Sequence, residues 1–450
     1  MLLKISKLFL YVSLFCVVIV MTSTFFPFIG GKDYFFRFSV ELALIFFLLW
    51  WAFEARAGEV YGRIRETIKH PLFIAVSIFV LVALLASFFA YDPHAAFWSN
   101  YERGEGAFQM LHYYVFFTLL VLLFDGEEEW RRLFKVSLAA AVLMVLYGIF
   151  ANLGWADNFI GPYGGNPPDG WWARLTATRF QGSLGNPAYV APYLLFSIFY
   201  TVYLWSSRKQ KKDFVSGLFY GFTSLFFLFF FILSQTRGAL LGLGAAIFSF
   251  LVAVIIISAE WRRRLFVVLV LFLLAGGLLI YNRNSNFVKS LPGGRIFDIS
   301  FSENTVSTRF WTWGSAWQGF KERPILGWGQ ENFSPLFDKY FDPRHYVPGQ
   351  NTETWFDRAH NIFLDYLTET GILGLLSYLG IFAVIYVEFF RKYIVKDKRF
   401  SAAEKALVVS MPIGYLVQGA AIFDVLPMYI NLFMFFAFAY YWLYKAHESR

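Results

Sequence analysis

A helix needs about 20 apolar residues to cross a bilayer, and runs of that length recur twelve times in these 450 residues. They fall at approximately 8–29, 36–53, 72–90, 107–124, 133–153, 188–205, 216–233, 238–258, 264–281, 372–390, 406–423 and 427–444. With 58% hydrophobic and 22% aromatic residues, the chain carries more apolar surface than a soluble protein of this length hides. The expected fold class is an all-α integral membrane protein, a single polytopic domain over 1–450 with about twelve transmembrane helices. The longest interruption, 282–360, is expected to be a large extracytoplasmic loop between helices 9 and 10.

The formal charge of +8 raises the question of nucleic-acid binding, and the position of the basic residues answers it. The N-terminus, the loops 54–71, 125–135, 206–215, 259–264 and 391–405, and the tail hold 24 of the 39 Lys and Arg residues. Basic residues between apolar segments set membrane orientation, so no nucleic-acid partner is expected and both termini should be cytoplasmic. The excursion is too long to obey that rule and should face the opposite side, the periplasm or exterior of a bacterial inner membrane. Lys4 and Lys7 before an apolar core resemble a signal peptide, but no Ala-x-Ala site follows, so an uncleaved first span is the reading. Cys16, the one cysteine, sits inside that run as a small hydrophobe and excludes an intrachain disulfide.

Within the excursion, Phe310, Trp313, Trp317 and Phe320 recur at three- and four-residue steps. That spacing predicts an amphipathic helix from about Ser307 to Glu322, stopped by Pro324, with its Trp residues at the membrane interface. A second short helix is expected around 331–341 and a polar coil from Asp342 to Asp357.

The residues able to carry chemistry stand where the spans meet the outer water. Arg237, in Ser-Gln-Thr-Arg-Gly, offers a planar cation beside a helix N-terminus and suits a phosphate; an arginine snorkelling to headgroups has the same sequence. Arg179 precedes Gly182, Gly185 and Pro187, a tight turn in which Asn186 can cap the next helix. Arg309 opens the amphipathic helix as a phosphate, sugar or interfacial contact. His360 precedes a helix carrying Asn361, Asp365 and Glu369, and a histidine in the first turn is kept neutral by the helix dipole, as a general base requires. Asp424 after span 11 is either a loop cap or a partner for a histidine or an acceptor. No Asp-x-Asp, His-Glu-x-x-His, P-loop, Gly-x-Ser-x-Gly or Rossmann fingerprint occurs, so neither metal nor nucleotide cofactor is expected. A transporter would place charges at mid-span, whereas here they gather at span ends.

In combination, Arg179 to Pro187 before a span, Ser-Gln-Thr-Arg-Gly at 234–238, Thr308-Arg309-Phe-Trp, Pro324-Ile-Leu-Gly-Trp-Gly, His360-Asn361-Ile-Phe-Leu and Thr370-Gly371-Ile-Leu-Gly resemble the O-antigen ligase and polymerase superfamily of membrane glycosyltransferases. The resemblance covers about 140 to 440. It implies a GT-C-like fold and a donor glycan on undecaprenyl diphosphate. The positions of Arg179, Arg237 and Arg309 are those implicated in holding the diphosphate, and that of His360 in catalysis. It implies a hydroxyl acceptor, with lipid A core (a ligase) preferred over a growing glycan (a polymerase) or protein. A polyprenyl-glycan transporter is the non-enzymatic alternative.

Overall fold

The computed structural model describes residues 1–56, 58–100, 104–155, 168–207, 214–291, 294, 304–346, 348–349, 353–393 and 400–446. Among them the chain is helical, with no β-strand. Nine helices are long and apolar enough to cross a membrane: α2 (Gly30–Phe53), α4 (Pro71–Phe88), α7 (Glu127–Leu153), α9 (Pro187–Ser206), α10 (Phe214–Leu233), α11 (Arg237–Ile257), α12 (Arg262–Tyr281), α17 (Gly371–Tyr393) and α19 (Leu426–Tyr440, continued by a wider turn to Lys445). The shorter helices are α1 (Leu2–Ser13), α3 (Glu59–Thr67), α5 (Pro93–Trp98), α6 (Ala107–Leu123), α8 (Trp171–Thr176), α13 (Asn286–Ser290), α14 (Asn304–Glu322), α15 (Phe333–Lys339), α16 (Ile362–Glu369) and α18 (Ala402–Gly419).

Among the described residues, nine of the twelve expected spans are single helices of full length and composition, and the reasons the other three differ are local. The run 8–29 does not form one helix: α1 ends at Ser13, a short 3-10 turn follows to Val18, and the chain is extended at Ile19. A closed turn then forms, Met21 N–H donating to the Pro27 carbonyl at 2.9 Å, and α2 starts at Gly30. This early start puts Lys32 and Asp33 inside the first turn of α2, where both are buried. Lys32 donates to the Ile19 carbonyl, one of the groups that the broken helix leaves over. The run 107–124 becomes α6, one residue short of eighteen, and 406–423 becomes α18, which begins with buried Glu404 and Lys405 behind a Ser401 capping box.

Burial orders the bundle. Every residue of α19 from Leu426 to Tyr440 except Tyr429 is buried, as expected of a helix apolar on all sides at the centre of a core. At the other extreme α12 buries none of its side chains and packs along α11. The α11–α18 contact is built on small residues. A Cβ on Gly242 would lie 2.6 Å from the Gly414 carbonyl, and one on Gly238 2.7 Å from the Ala421 Cβ, so the two backbones meet without intervening side chains.

Several loops read from their charge as sharing one side do gather at one end. Arg63 reaches Asp125 at 2.7 Å, Lys445 also binds Asp125, Arg131 donates to Ser207, and the N-terminal ammonium binds Glu54. The opposite end holds the candidate site.

Candidate active site

The excursion folds onto that opposite end as a small core of its own, around Ala316, Trp328, Phe333, Leu336, Phe337 and Phe356. Helix α14 forms where the periodicity predicts, but the aromatic stripe is not its buried face. Phe310 and Trp317 are 54% and 50% exposed, while Thr308, Thr312, Ser315 and Ala316 are buried. The small side chains bring α14 against α15: Gly319 faces Leu336, and the Ser315 hydroxyl donates to the Tyr340 carbonyl at 2.7 Å. Trp313 is the aromatic that turns inward, its indole N–H donating to the Ala359 carbonyl at 2.9 Å, one residue before His360.

The Pro324–Gly329 strip explains two of the sequence motifs together. Trp328 N–H donates to the Thr368 carbonyl and Gly329 N–H to the Glu369 carbonyl, each at 2.8 Å, while Ile372 N–H donates back to Pro324 at 2.8 Å. The strip thus stitches the excursion to the α16–α17 junction. Gly371 must be glycine in this seam: its φ is +65°, and a Cβ would stand 2.2 Å from the Ile325 carbonyl oxygen. The buried Trp328 indole donates to Gly319 at 2.9 Å and is flanked by the Arg323 guanidinium 5.1 Å from its ring.

His360 lies at the end of this construction, one residue outside the N-cap rather than in the first turn of α16. Asn361 is the N-cap, its side-chain Oδ1 accepting from Phe363 and Leu364 N–H at 3.0 and 3.3 Å. His360 has φ +55°, a left-handed conformation that costs an L-residue roughly 1–2 kcal/mol. Its ring meets Phe423 edge-to-face at 4.9 Å and Phe356 at 5.6 Å, and Nδ1 is 3.3 Å from the Arg358 carbonyl oxygen.

The arginines arrive from elsewhere in the chain. Arg179 Nε donates to the Ser234 carbonyl at 3.1 Å and its Nη2 to the Thr236 hydroxyl at 3.3 Å, so the Arg179 segment is fastened to the Ser-Gln-Thr-Arg loop. Thr236 in turn donates to the Pro187 carbonyl at 3.1 Å, and Asn186 caps α9 by accepting from Ala188 N–H at 2.8 Å. Arg237 begins α11, and its neighbour Gly238 lies against Ala421, two residues before Phe423. Phe423 also meets Tyr189 of α9 at 6.0 Å. Through Phe423 the Arg179–Arg237 turn and the His360 segment share one end of the bundle. Arg309 is partly buried on α14, one turn before Trp313 on the same face; burial pulls its guanidinium below its ordinary value and nearby Glu353 opposes the shift. Asp424 is buried and accepts a hydrogen bond from the Tyr415 hydroxyl; burial pushes its carboxyl up to about 7, against that bond.

Beneath His360 lies a charged layer in which Arg358, Glu331 and Glu105, none of them marked by the sequence motifs, join Asp365, Glu369 and Asp424. Arg358 is buried, with one guanidinium nitrogen on Glu331 and the other 2.8 Å from Glu369 Oε1. Asp365 Oδ1 accepts the Ala359 N–H at 2.7 Å, and burial pushes this carboxyl up to about 7 although Arg358 and the N–H pull it down. A narrow cavity lies between Glu105, Arg358, Asp365, Glu369, Asp424 and Tyr429, and Glu105 also lines a second one beside Lys32 and Asp33. Burial raises Glu105 well above the usual carboxylate range, and the Asp33 charge adds to it. One sequence signal for part of this layer exists: Asp365 and Glu369, four apart, share the helix face behind an arginine–histidine pair.

These features define an all-helical, membrane-type bundle with a polar site of arginines, carboxylates and one strained histidine at one end. Residues 222–379 match the family model described as O-antigen ligase, a stretch that contains Arg237, Arg309, Arg358 and His360 but not Arg179, Asn186 or Asp424. That stretch is similar to the O-antigen ligase family, whose members are glycosyltransferase-like enzymes. No curated protein matches the chain.

Proposed function

We propose that the protein is a metal-independent, GT-C-like glycosyltransferase of the O-antigen ligase type, moving a glycan from undecaprenyl diphosphate to an acceptor hydroxyl at the outer face of a bacterial inner membrane. The observation that carries this reading is the junction at Phe423, which seats His360 at 4.9 Å and joins it to the Arg179–Arg237 turn.

In this mechanism the donor diphosphate lies against Arg237, with Arg179 and Arg309 beside it, and Asn186, Asn361 and Asp424 near the sugars. The acceptor oxygen forms a bond to the anomeric carbon from the face opposite the diphosphate. The anomeric C–O bond breaks, its electron pair leaves on undecaprenyl diphosphate, and the acceptor proton passes to His360. Guanidinium groups stabilise the charge that grows on the leaving group, and proton transfer contributes typically 10² to 10⁴-fold, roughly. A single displacement inverts the anomeric centre. Phe310 and Trp317 suit the headgroup layer beside a lipid-bound donor. Lipid A core is the preferred acceptor; a growing glycan, as in a polymerase, or a protein hydroxyl would use the same groups.

The test is transfer by the purified, folded protein supplied with an undecaprenyl-diphosphate-linked oligosaccharide and lipid A core. Release of undecaprenyl diphosphate with acceptor labelling is expected, and translocation without release would make the protein a transporter. His360→Ala should abolish transfer and keep donor binding, whereas Arg237→Lys should weaken donor binding because the bidentate fork is lost. Near-normal transfer by His360→Ala would remove the base from the mechanism.

A further inference from the structure

We infer that Arg358 is the positioning residue of the site: clamped between Glu331 and Glu369, it holds the backbone that fixes the tautomer and direction of the His360 imidazole. The inference rests on the reading of His360 as the base.

The geometry is specific to this segment. The residues around His360 are all tied to α16, and two of them also to a second element. The Arg358 guanidinium spans Glu331, which follows the Trp328 seam, and Glu369, at the last turn of α16. Ala359 gives its N–H to Asp365 of α16 and receives the Trp313 indole of α14 on its carbonyl. Asn361 caps α16. A left-handed histidine persists only when its surroundings over-determine it, and three elements do so here. The other end of the clamp is under the same constraint, since Glu331 itself has φ +61°.

The consequence for the ring follows from donor and acceptor chemistry. A carbonyl oxygen only accepts, so in the 3.3 Å contact with Arg358 the hydrogen sits on His360 Nδ1. Nε2 then carries the lone pair, the tautomer a base needs. The guanidinium never touches substrate in this arrangement; it acts through the peptide it anchors. Removing it leaves Glu331 and Glu369 as unpaired buried carboxylates and frees the segment to move, and a displacement of about 1 Å costs on the order of 100-fold in rate.

The experiment compares Arg358→Met, Arg358→Lys and the triple variant Glu331→Gln/Arg358→Met/Glu369→Gln in full-length purified protein. The triple variant removes the uncompensated charges and so keeps the fold accessible. Measured are kcat and KM with an undecaprenyl-diphosphate-linked oligosaccharide, binding of undecaprenyl diphosphate alone, the unfolding midpoint and the pH–rate profile. The expected result is a fall in kcat of about 100-fold in both methionine variants, undecaprenyl diphosphate affinity within about twofold, a shifted midpoint for the acidic limb of the profile, where the base loses its proton, and partial recovery of kcat with lysine. A kcat within about threefold of wild type in the folded triple variant, with the pH profile unmoved, would overturn the inference and leave the triad a stabilising contact. His360→Ala, run in parallel, separates the two ideas: if it remains active the base assignment fails, and if it is inactive while the Arg358 variants are not, only the positioning role fails.

Discussion

Gly371→Ala tests the seam that carries the site. The added Cβ would stand 2.2 Å from the Ile325 carbonyl oxygen, 2.3 Å from its carbon and 2.6 Å from Leu326 N, all backbone atoms that no rotamer change can move. Adopting φ +65° with a side chain costs roughly 1–2 kcal/mol. Relieving the clash means moving the strip away from α16, which weakens three hydrogen bonds of 2.8 Å, each contributing about 1 kcal/mol net. The total is about 3–5 kcal/mol, at the upper end for one substitution. Because Glu369 sits on that seam and binds Arg358, the change should also displace His360 and lower transfer. The assay is denaturant unfolding of purified protein followed by tryptophan fluorescence, with transfer measured on the folded fraction. Gly314→Ala is the control: no atom lies within 4 Å of its Cβ, φ is ordinary, and a helical alanine there should stabilise by roughly 0.5–1 kcal/mol. If Gly371→Ala unfolds at the same midpoint as wild type, the argument from backbone contact is wrong.

Two other outcomes concern the short helix. Asn361→Ala removes the acceptor for two backbone N–H groups of α16 and should cost about 1 kcal/mol in the same unfolding assay; replacement by Asp should retain the cap, and equal losses in both would exclude it. Asp365 has its carboxyl raised to about 7 in the folded protein, so the folded state holds a proton that the unfolded chain releases near pH 4, roughly. Its contribution is therefore present below about pH 4 and lost as pH rises through 7, and Asp365→Asn should flatten the decline in stability over that window. Parallel stability–pH curves for variant and wild type would refute the shift.

His360 was legible as a candidate because a histidine stands beside a helix start, Arg179 and Arg237 because they stand at turns before a span, and Arg309 because it opens the amphipathic helix. Arg358 and Glu331 were not. With Glu369, which the helix spacing marks, they are ordinary charges until folding removes all three from water together, and burial is a property of the assembled surfaces. The packing face of α14 was not legible for a related reason: periodicity marks the aromatic stripe, of which Phe310 and Trp317 stay exposed, but not that Ser315, Ala316 and Gly319 are small enough for a second helix to approach.

Apolar run length and composition by themselves determined an all-helical, membrane-type chain, since those properties depend on residues adjacent in sequence. The ends of the helices needed more: the first run breaks after Ser13, and the Met21–Pro27 turn and buried Lys32 satisfy backbone groups at that break. Only the tertiary structure decided that the Arg179 turn, the Arg237 turn and His360 share one end of the bundle, because the contacts that join them run through Phe423, Gly238 and Ala421. It also decided the conformation of His360, which no local preference favours and which the surrounding hydrogen bonds and buried ion pairs impose.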